Sequence, residues 1–162
     1  MATAEHHLSQ YDPTSVPSGA GRRFALVVSE WNRAITDALR AGAHETLLRH
    51  GVLERNIVEA WVPGSFELAL GAQFMLERGD IDGVVCLGSV VRGETPHFDF
   101  VCQGATQGIM QVGLKYNAPV IFGLLTDDTM QQAMDRSGGI HGNKGVDCAV
   151  AVLKMAALKQ LK

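Results

Sequence analysis

Apolar runs alternate with segments of helical periodicity along most of the chain. The continuously apolar character of the runs is typical of parallel strands that are buried on both faces. Alternation of such strands with helices predicts an α/β fold, a three-layer αβα sandwich with a four-stranded parallel sheet and helices on both faces. The predicted strands are Phe24–Ser29, Ile57–Val62, Ile81–Gly88 and Val120–Leu125. Five helices are predicted. The first ends at His50-Gly51, the second lies near Phe66–Arg78, the third follows Pro96, the fourth lies near Thr129–Arg136, and the fifth covers about Val146–Leu161.

The first 21 residues differ from the rest of the chain. They are polar, contain Pro13 and Pro17, and end in the flexible sequence SGAG. The chain of 162 residues suits one domain with a real core. We therefore predict an N-terminal arm at 1–21 and a single domain at 22–162.

Composition narrows the class of protein. Apolar residues make up 46% and charged residues 19%, which is ordinary for a soluble globular protein. A net charge of −3 predicts no nucleic-acid partner. No apolar run is long enough to span a bilayer, and the first residues lack the pattern of a secretory signal. The three cysteines form no CxxC motif, which predicts reduced thiols in a cytoplasmic protein.

The predicted carboxyl ends of the strands carry the unusual residues. Ligands of open parallel sheets bind at this edge, and here aromatics, carboxylates, hydroxyls and one histidine gather. The gathering of these residues at one edge is stronger evidence for a ligand site than any single side chain is. The segments that follow the four strands are Ser29–Asn32, Pro63–Glu67, Ser89–His97 and Thr126–Asp128.

The stretch RGETPHFDF holds the strongest candidate for chemistry. Thr95 is a suitable N-cap and Pro96 a suitable first helical residue, which puts His97 in the first turn of a helix. That position favours a bound anion and a neutral imidazole that accepts a proton. An exposed histidine beside a plain helix cap is the alternative. The neighbouring Arg92 and Glu94 favour the functional interpretation.

Other candidates are ambiguous when they are taken singly. Trp31 is either a core or interface aromatic or a stacking platform for a planar ring. Arg136 either caps its helix or clamps a phosphate, and Glu67 either favours the helix dipole or binds a ligand. Core packing explains Phe122, and surface exposure is the default for Lys144.

Several familiar signatures are absent from the sequence. It contains no GxxxxGK[ST], no GxGxxG between a strand and a helix, and no GxSxG. Its six histidines have no metal-ligand spacing, so we expect neither a nucleotide-driven reaction nor a metal. The residues alone thus indicate an oligomeric α/β enzyme for a planar polar compound and a phosphorylated one, with His97 moving protons.

Five blocks carry a more specific resemblance. The match runs from Arg22 to the C-terminus, and RGxTPHFD is its most specific part. The chain resembles the lumazine synthase family in the order and spacing of VVSEWN, VPGSFELA, CLGSVVRGETPHFDFV, PVIFGLLTDDTMQQAMDRSG and HGNKGVDCA.

The resemblance implies a flavodoxin-like fold and a particular reaction. The family condenses 5-amino-6-ribitylaminouracil with 3,4-dihydroxy-2-butanone 4-phosphate, a phosphorylated ketone, to 6,7-dimethyl-8-ribityllumazine, the penultimate compound of riboflavin synthesis. Phosphate and water leave, and the resemblance implies no cofactor. A non-catalytic flavin- or lumazine-binding or cage-forming protein, and a different phosphosugar enzyme on the same fold, are the rival hypotheses.

The resemblance also assigns site residues. His97 matches the proton-transfer histidine, while Glu94, Thr95 and Arg136 match positions that hold the ketone phosphate. Trp31 stands where phenylalanine is common, and Glu94 where a small residue is common, so we expect the Glu94 side chain to point away. The positions matched to the ribitylaminouracil are Trp31, Ser65, Phe66, Glu67, Ser89, Val90, Val91 and, across a subunit boundary, Phe122.

Assembly is implied as well. The family forms pentamers, and in many members twelve pentamers close into an icosahedral shell of 60 subunits. The arm would add a strand to the sheet of a neighbouring subunit. The short segment SGGIHGNKG resembles the shell-forming type, and riboflavin synthase is the implied protein partner.

Overall fold

The structure, a computed structural model, describes residues 7–161. The chain alternates strands and helices from residue 24 onward, as the hydrophobic pattern predicts. The strands are β1 (Phe24–Ser29), β2 (Ile57–Val62), β3 (Gly83–Val91), β4 (Val120–Asp127), β5 (Ser137–Gly139) and β6 (Gly142–Asn143). The helices are α1 (Arg33–Arg49), α2 (Leu68–Glu77), α3 (His97–Tyr116), α4 (Met130–Arg136) and α5 (Lys144–Leu158).

Four strands form one parallel sheet in the order β2-β1-β3-β4. Alternate residues of each strand face opposite layers, because side chains of a strand alternate in direction. Leu26 and Leu87 pack with the apolar faces of α1 and α5, whereas Val27 and Cys86 pack with those of α2 and α3. Both faces of the sheet are therefore buried, which confirms the predicted three-layer αβα architecture.

Two strands are longer than their apolar runs. β3 extends past Gly88 to Val91, and β4 extends past Leu125 to Asp127, because these extensions pair with each other residue by residue. Our prediction that Ser89–Val91 follow the third strand is therefore wrong. These residues lie on the strand itself, where the pleat rather than a loop fixes the direction of their side chains.

Helix ends differ from the prediction in three places. A 3-10 turn at Ser65–Glu67 precedes α2, and the final helix begins two residues earlier and ends three residues earlier than predicted. Thr95 is not the N-cap of α3: Pro96 holds that position, and no side chain caps the helix. His97 still lies in the first turn, because the predicted start was displaced by only one residue.

The predicted break after α4 contains structure of its own. β5 and β6 form a small antiparallel hairpin that leads into α5. Asn143 fixes this corner: its Nδ2 donates to the carbonyls of Ala38 and Ser137, and its Oδ1 accepts from the N–H of Gly145. The hairpin therefore connects α4 to α5 with a defined geometry.

The described part of the arm, residues 7–21, packs on its own chain. The N–H of Leu8 donates to the carbonyl of His141 on the hairpin, and Ser9 Oγ accepts from the N–H of Asn143. Val16 is buried in the core beside α1 and α5. Residues 7–21 contain a 3-10 turn at Pro13–Ser15 and no strand, and residues 1–6 lie outside the described part.

Within residues 7–161, no helix combines the length and the apolar character needed to cross a bilayer.

Candidate active site

A cavity of about 680 Å³ lies at the carboxyl edge of the sheet. This size is typical of sites for small organic ligands, which are mostly apolar with a few polar groups at defined positions. Segments that follow β1 and β2, the end of β3 and the first turns of α3 surround it. Its lining residues are Trp31, Asn32, Gly64, Ser65, Phe66, Glu67, Ser89, Val90, Val91, His97, Phe100 and Val101.

The turn after β1 supplies the aromatic wall. Trp31 is exposed over 72% of its surface, so its indole is free to stack on a ligand. Asn32 has the left-handed backbone conformation (φ 55°), which asparagine tolerates better than most residues. Its side chain Nδ2 donates to the carbonyl of Ser89, 3.0 Å away on β3. Asn32 therefore fixes the turn that carries Trp31 against the neighbouring strand.

The turn after β2 brings a carboxylate close to the indole. A Cβ added to Gly64 would lie 2.9 Å from Glu67 Oε2 and 3.6 Å from the Trp31 ring, so glycine permits this approach. A Cβ at Gly104 of α3 would overlap the ring of Phe66 in the same way. Glu67 thus lies beside Trp31, and the Phe66 ring rests on α3.

Hydroxyl groups line the base of this edge. The Oγ atoms of Ser65 and Ser89 are buried and make no hydrogen bond within the described residues. A hydroxyl left without a partner costs free energy, so buried hydroxyls usually have one. These two groups are consequently available to a ligand that enters the cavity.

α3 contributes the histidine. His97 and Phe100 are exposed to the cavity, and Val101 lies beside them because positions i, i+3 and i+4 share one face of a helix. Phe98, by contrast, is buried in the protein and anchors the first turn of α3. The histidine is therefore carried on a rigid element at the cavity wall.

The residues matched to the phosphate lie outside this cavity. Glu94 and Thr95 are exposed in the loop between β3 and α3. Arg136, at the end of α4, lies 3.8 Å from Asp127 Oδ1 and donates through Nη1 to the carbonyl of Gln132. Burial raises the pKa of the Asp127 carboxyl, an effect that Arg136 opposes. Within residues 7–161, the guanidinium of Arg136 thus has one carboxylate near it, at 3.8 Å, to neutralise its charge.

Two more predicted residues lie elsewhere. Phe122 is half-buried in the middle of the edge strand β4, opposite Cys86, and does not line the cavity of its own chain. Lys144 lies at the start of α5, where its Nζ is 2.5 Å from Asp147 Oδ2. Neither residue meets His97 within one subunit.

The cavity also contains residues that the sequence analysis did not single out. Asn32, Gly64, Phe100 and Val101 all line it. The helical spacing from His97 was a sufficient signal for Phe100 and Val101. No sequence signal linked Asn32 to Ser89, because the two residues are 57 positions apart and meet only through the pairing of β1 with β3.

In the described part of the chain, no group of three or more His, Cys, Asp and Glu side chains is arranged to hold a metal ion. Cys86 and Cys148 are buried and Cys102 is half-buried, and all three are free. Burial raises the pKa of the Cys148 thiol to about 12, so it is not a nucleophile at neutral pH.

Fold and cavity together define a flavodoxin-like α/β protein with a small-molecule site at the carboxyl edge of its sheet. The profile of the family described as 6,7-dimethyl-8-ribityllumazine synthase matches residues 21–160. The chain belongs to this family.

Three curated relatives with that name match over nearly their whole length. A protein from Phocaeicola vulgatus is 53% identical, over 99% of this chain and 95% of its own. One from Porphyromonas gingivalis is 52% identical, over 99% and 100%, and one from Parabacteroides distasonis is 55% identical, over 96% and 97%. The resemblance in the five sequence blocks is thereby confirmed.

Proposed function

We propose that this chain condenses 5-amino-6-ribitylaminouracil with 3,4-dihydroxy-2-butanone 4-phosphate to give 6,7-dimethyl-8-ribityllumazine, the penultimate step of riboflavin biosynthesis. The observation that carries the proposal is one cavity that joins an exposed indole, a carboxylate, two unpartnered hydroxyls and a helix-borne histidine. Membership of the family gives this cavity its substrates.

The cavity offers different groups to the two parts of the uracil substrate, its pyrimidine ring and its ribityl chain. In this proposal the pyrimidine ring stacks on Trp31, and the ribityl hydroxyls bind Glu67, Ser65 and neighbouring groups. Ser89–Val91 present an apolar strand end with one hydroxyl to the other side of the ring. Orientation of the amine toward the ketone provides most of the rate enhancement, because holding two reactants together in the right geometry removes a large part of the barrier of a bimolecular reaction.

The phosphate side is assigned to the loop at Glu94-Thr95 and to Arg136. Arg136 is the better cation for this role than Arg92, since Arg92 already contacts two carboxylates while Arg136 has one at 3.8 Å. A guanidinium binds phosphate oxygens in a bidentate manner. The Glu94 side chain is exposed, in keeping with a role for its backbone alone.

His97 is the proposed proton carrier. The amine of the uracil attacks the ketone carbonyl, and loss of water gives an imine. Removal of a proton from the adjacent carbon as the phosphate leaves gives an enol, which takes up a proton at its terminal carbon and becomes a methyl ketone. The ribityl-bearing nitrogen of the uracil attacks this new carbonyl, and loss of a second water closes the ring. An imidazole at the cavity wall accepts and returns these protons, and the resemblance implies no cofactor for any step.

The direct test follows the fluorescence of the lumazine product when purified protein is mixed with both substrates. We expect a rate far above that of the same mixture without protein, which reacts slowly alone. Trp31→Ala should raise KM mainly for the uracil, and Arg136→Gln mainly for the ketone phosphate, each by about tenfold. Arg78→Gln, which changes a surface arginine remote from the cavity, serves as the control.

A rate equal to that of the protein-free mixture would reject the proposed reaction. Tight binding of the lumazine without turnover would then favour a binding or cage-forming protein. Equal effects of both variants on the two KM values would leave the reaction intact but reject the division of the cavity into a uracil side and a phosphate side.

The proposed assembly is a pentamer, with twelve pentamers in a 60-subunit shell. Besides Phe100 at the cavity, four large apolar side chains on α2 and α3 are more than half exposed in the single chain, which marks a surface for protein contact. A neighbour would also bring its Phe122 to the cavity. The open edge of β2 would accept a strand from the arm of another subunit, for which that arm must leave the contacts that residues 7–21 make on their own chain. The exposed apolar residues are Leu70, Phe74, Met110 and Leu114.

Mass measurement by light scattering tests this assembly. Sixty chains of 17.4 kDa give a particle of roughly 1 MDa. Leu114→Lys places a charge on the proposed contact surface and should yield much smaller species, whereas Lys154→Glu, an exposed change on α5, should not. A monomeric wild-type protein would reject the proposal. Riboflavin synthase as a partner and a cytoplasmic location remain predictions.

A further inference from the structure

Arg92 begins the loop that joins β3 to α3, and its side chain contacts three residues in two segments, the first turn of α3 and the turn after β4. Its Nε donates to Asp128 Oδ1 at 2.7 Å, and its Nη1 donates to Asp99 Oδ1 at 3.2 Å. The guanidinium carbon lies 4.1 Å from the centroid of the Phe98 ring. The backbone N–H of Arg92 also donates to the carbonyl of Asp127 at 2.9 Å.

Two of these partners neighbour the histidine in sequence, and the third lies on another element. Phe98 and Asp99 follow His97 directly in the first turn of α3, and Asp128 lies in the turn after β4. Arg92 therefore ties the start of α3 to the end of β4. The connection spans the edge of the sheet from which the cavity opens.

The loop has few other restraints. Within residues 7–161, no side-chain hydrogen bond caps the start of α3, and the side chains of Glu94, Thr95 and His97 make no hydrogen bond. Gly93 has open space around it. Removal of Arg92 would leave Phe98 as the main anchor of this turn.

The contacts of Arg92 are better suited to orientation than to stability. All three charged side chains are about half-exposed or more, and ion pairs at such positions contribute little to folding free energy. A planar guanidinium with two directed hydrogen bonds and a stacked ring nevertheless defines one orientation. Its charge is already matched by two carboxylates, so it is a poor candidate for binding the phosphate of a substrate.

We propose that Arg92, held by Asp99 and Asp128 and stacked on Phe98, is a positioning residue that sets the first turn of α3 so that His97 faces the cavity at the reacting atoms. The inference rests on the proposed role of His97 as proton carrier. Precise placement of a catalytic group matters because a displacement of about 1 Å costs a reaction about 100-fold in rate.

Arg92→Gln removes both ion pairs and the planar cation while it keeps a polar side chain. We expect kcat to fall by about tenfold with both KM values within about twofold, and the melting temperature to remain within a few degrees of wild type. Arg92→Lys keeps the charge but cannot make both contacts and the stack together, so it should restore only part of kcat. Arg78→Gln, which breaks a surface pair with Asp80, is the matched control and should leave kcat unchanged.

A double-mutant cycle with His97→Ala separates positioning from direct action on the substrate. If Arg92 acts through His97, Arg92→Gln should cause no further loss in the His97→Ala background. A loss that multiplies with that of His97→Ala would overturn the inference, as would wild-type kcat in the single Arg92→Gln variant. A large fall in melting temperature with a normal kcat would show a purely structural role.

Rate measurements distinguish an error in the proposed reaction from an error in the proposed role of Arg92. A wild-type rate equal to that of the protein-free mixture overturns the proposed reaction, and this inference with it. A fast wild-type rate with independent effects of the two substitutions overturns only the role of Arg92.

Discussion

His97→Ala is expected to lower kcat by about 100-fold, the lower end of what general acid–base catalysis contributes. The cavity, the Trp31 platform and the proposed phosphate site remain in the variant, so binding and orientation of both substrates should persist. Their KM values should consequently change little. Lumazine fluorescence, corrected for the protein-free reaction, measures the effect directly.

The control for this experiment is His141→Ala. His141 lies in the turn of the hairpin between α4 and α5, outside the cavity, and its backbone carbonyl accepts a hydrogen bond from Leu8 of the arm. We expect a rate close to wild type. A His97→Ala protein with unchanged kcat would show that the reaction proceeds by proximity alone, with solvent as the proton carrier.

The fold was largely predictable because each strand carries its own signal. β1 and β2 match their apolar runs residue for residue, since both are bounded by polar turns. The carboxyl ends of β3 and β4 were predicted too early because these ends, SVV and TD, pair with each other, and β3 begins at Gly83 rather than at Ile81. Pairing between residues that are 36 positions apart cannot be inferred from the composition of either segment.

The site was predictable wherever residues follow a strand in sequence. Trp31, Ser65–Glu67 and His97 line one cavity, as expected for the carboxyl edge of a parallel sheet. Arg136 and Phe122 do not reach it within one chain. The roles proposed for them depend on contacts with another copy of the chain or on a ligand, which local sequence patterns do not describe.

The structural features that the sequence did not predict are long-range contacts made by single side chains. Asn32 binds Ser89 across the sheet, and Arg92 contacts residues on α3 and after β4. The polar arm was predicted to add a strand to a neighbouring subunit, yet Val16 of the arm is buried against α1 and α5 of its own chain. In each case one side chain makes the contact, and no periodic pattern marks it.

We expect Gly145→Ala to lower the free energy of unfolding more than any other substitution that we propose for this protein. Gly145 is buried at the start of α5, where that helix crosses α1. A Cβ at this position would overlap the backbone carbonyl oxygen of Leu39 and lie 2.9 Å from Asn143 Oδ1. The obstacle is backbone inside a helix, so it cannot move aside as a flexible side chain would.

The alanine therefore has to push α1 and α5 apart, or disrupt the Asn143 corner that joins them to the hairpin. Overpacking against a rigid neighbour costs about 3 kcal/mol or more. For a chain of this length that corresponds to a fall in melting temperature of roughly 10 °C, measured at one fixed protein concentration.

Gly113→Ala is the matched control, because it makes the same chemical change in α3. The new Cβ would meet the carbonyl oxygen of Ala118 at 3.4 Å, an ordinary contact, and alanine favours a helix over glycine by about 1 kcal/mol. We expect its melting temperature to equal or exceed that of wild type. If Gly145→Ala melted like Gly113→Ala, the close crossing of α1 and α5 would be wrong, and the placement of Lys144 and the hairpin beside it would have to be revised.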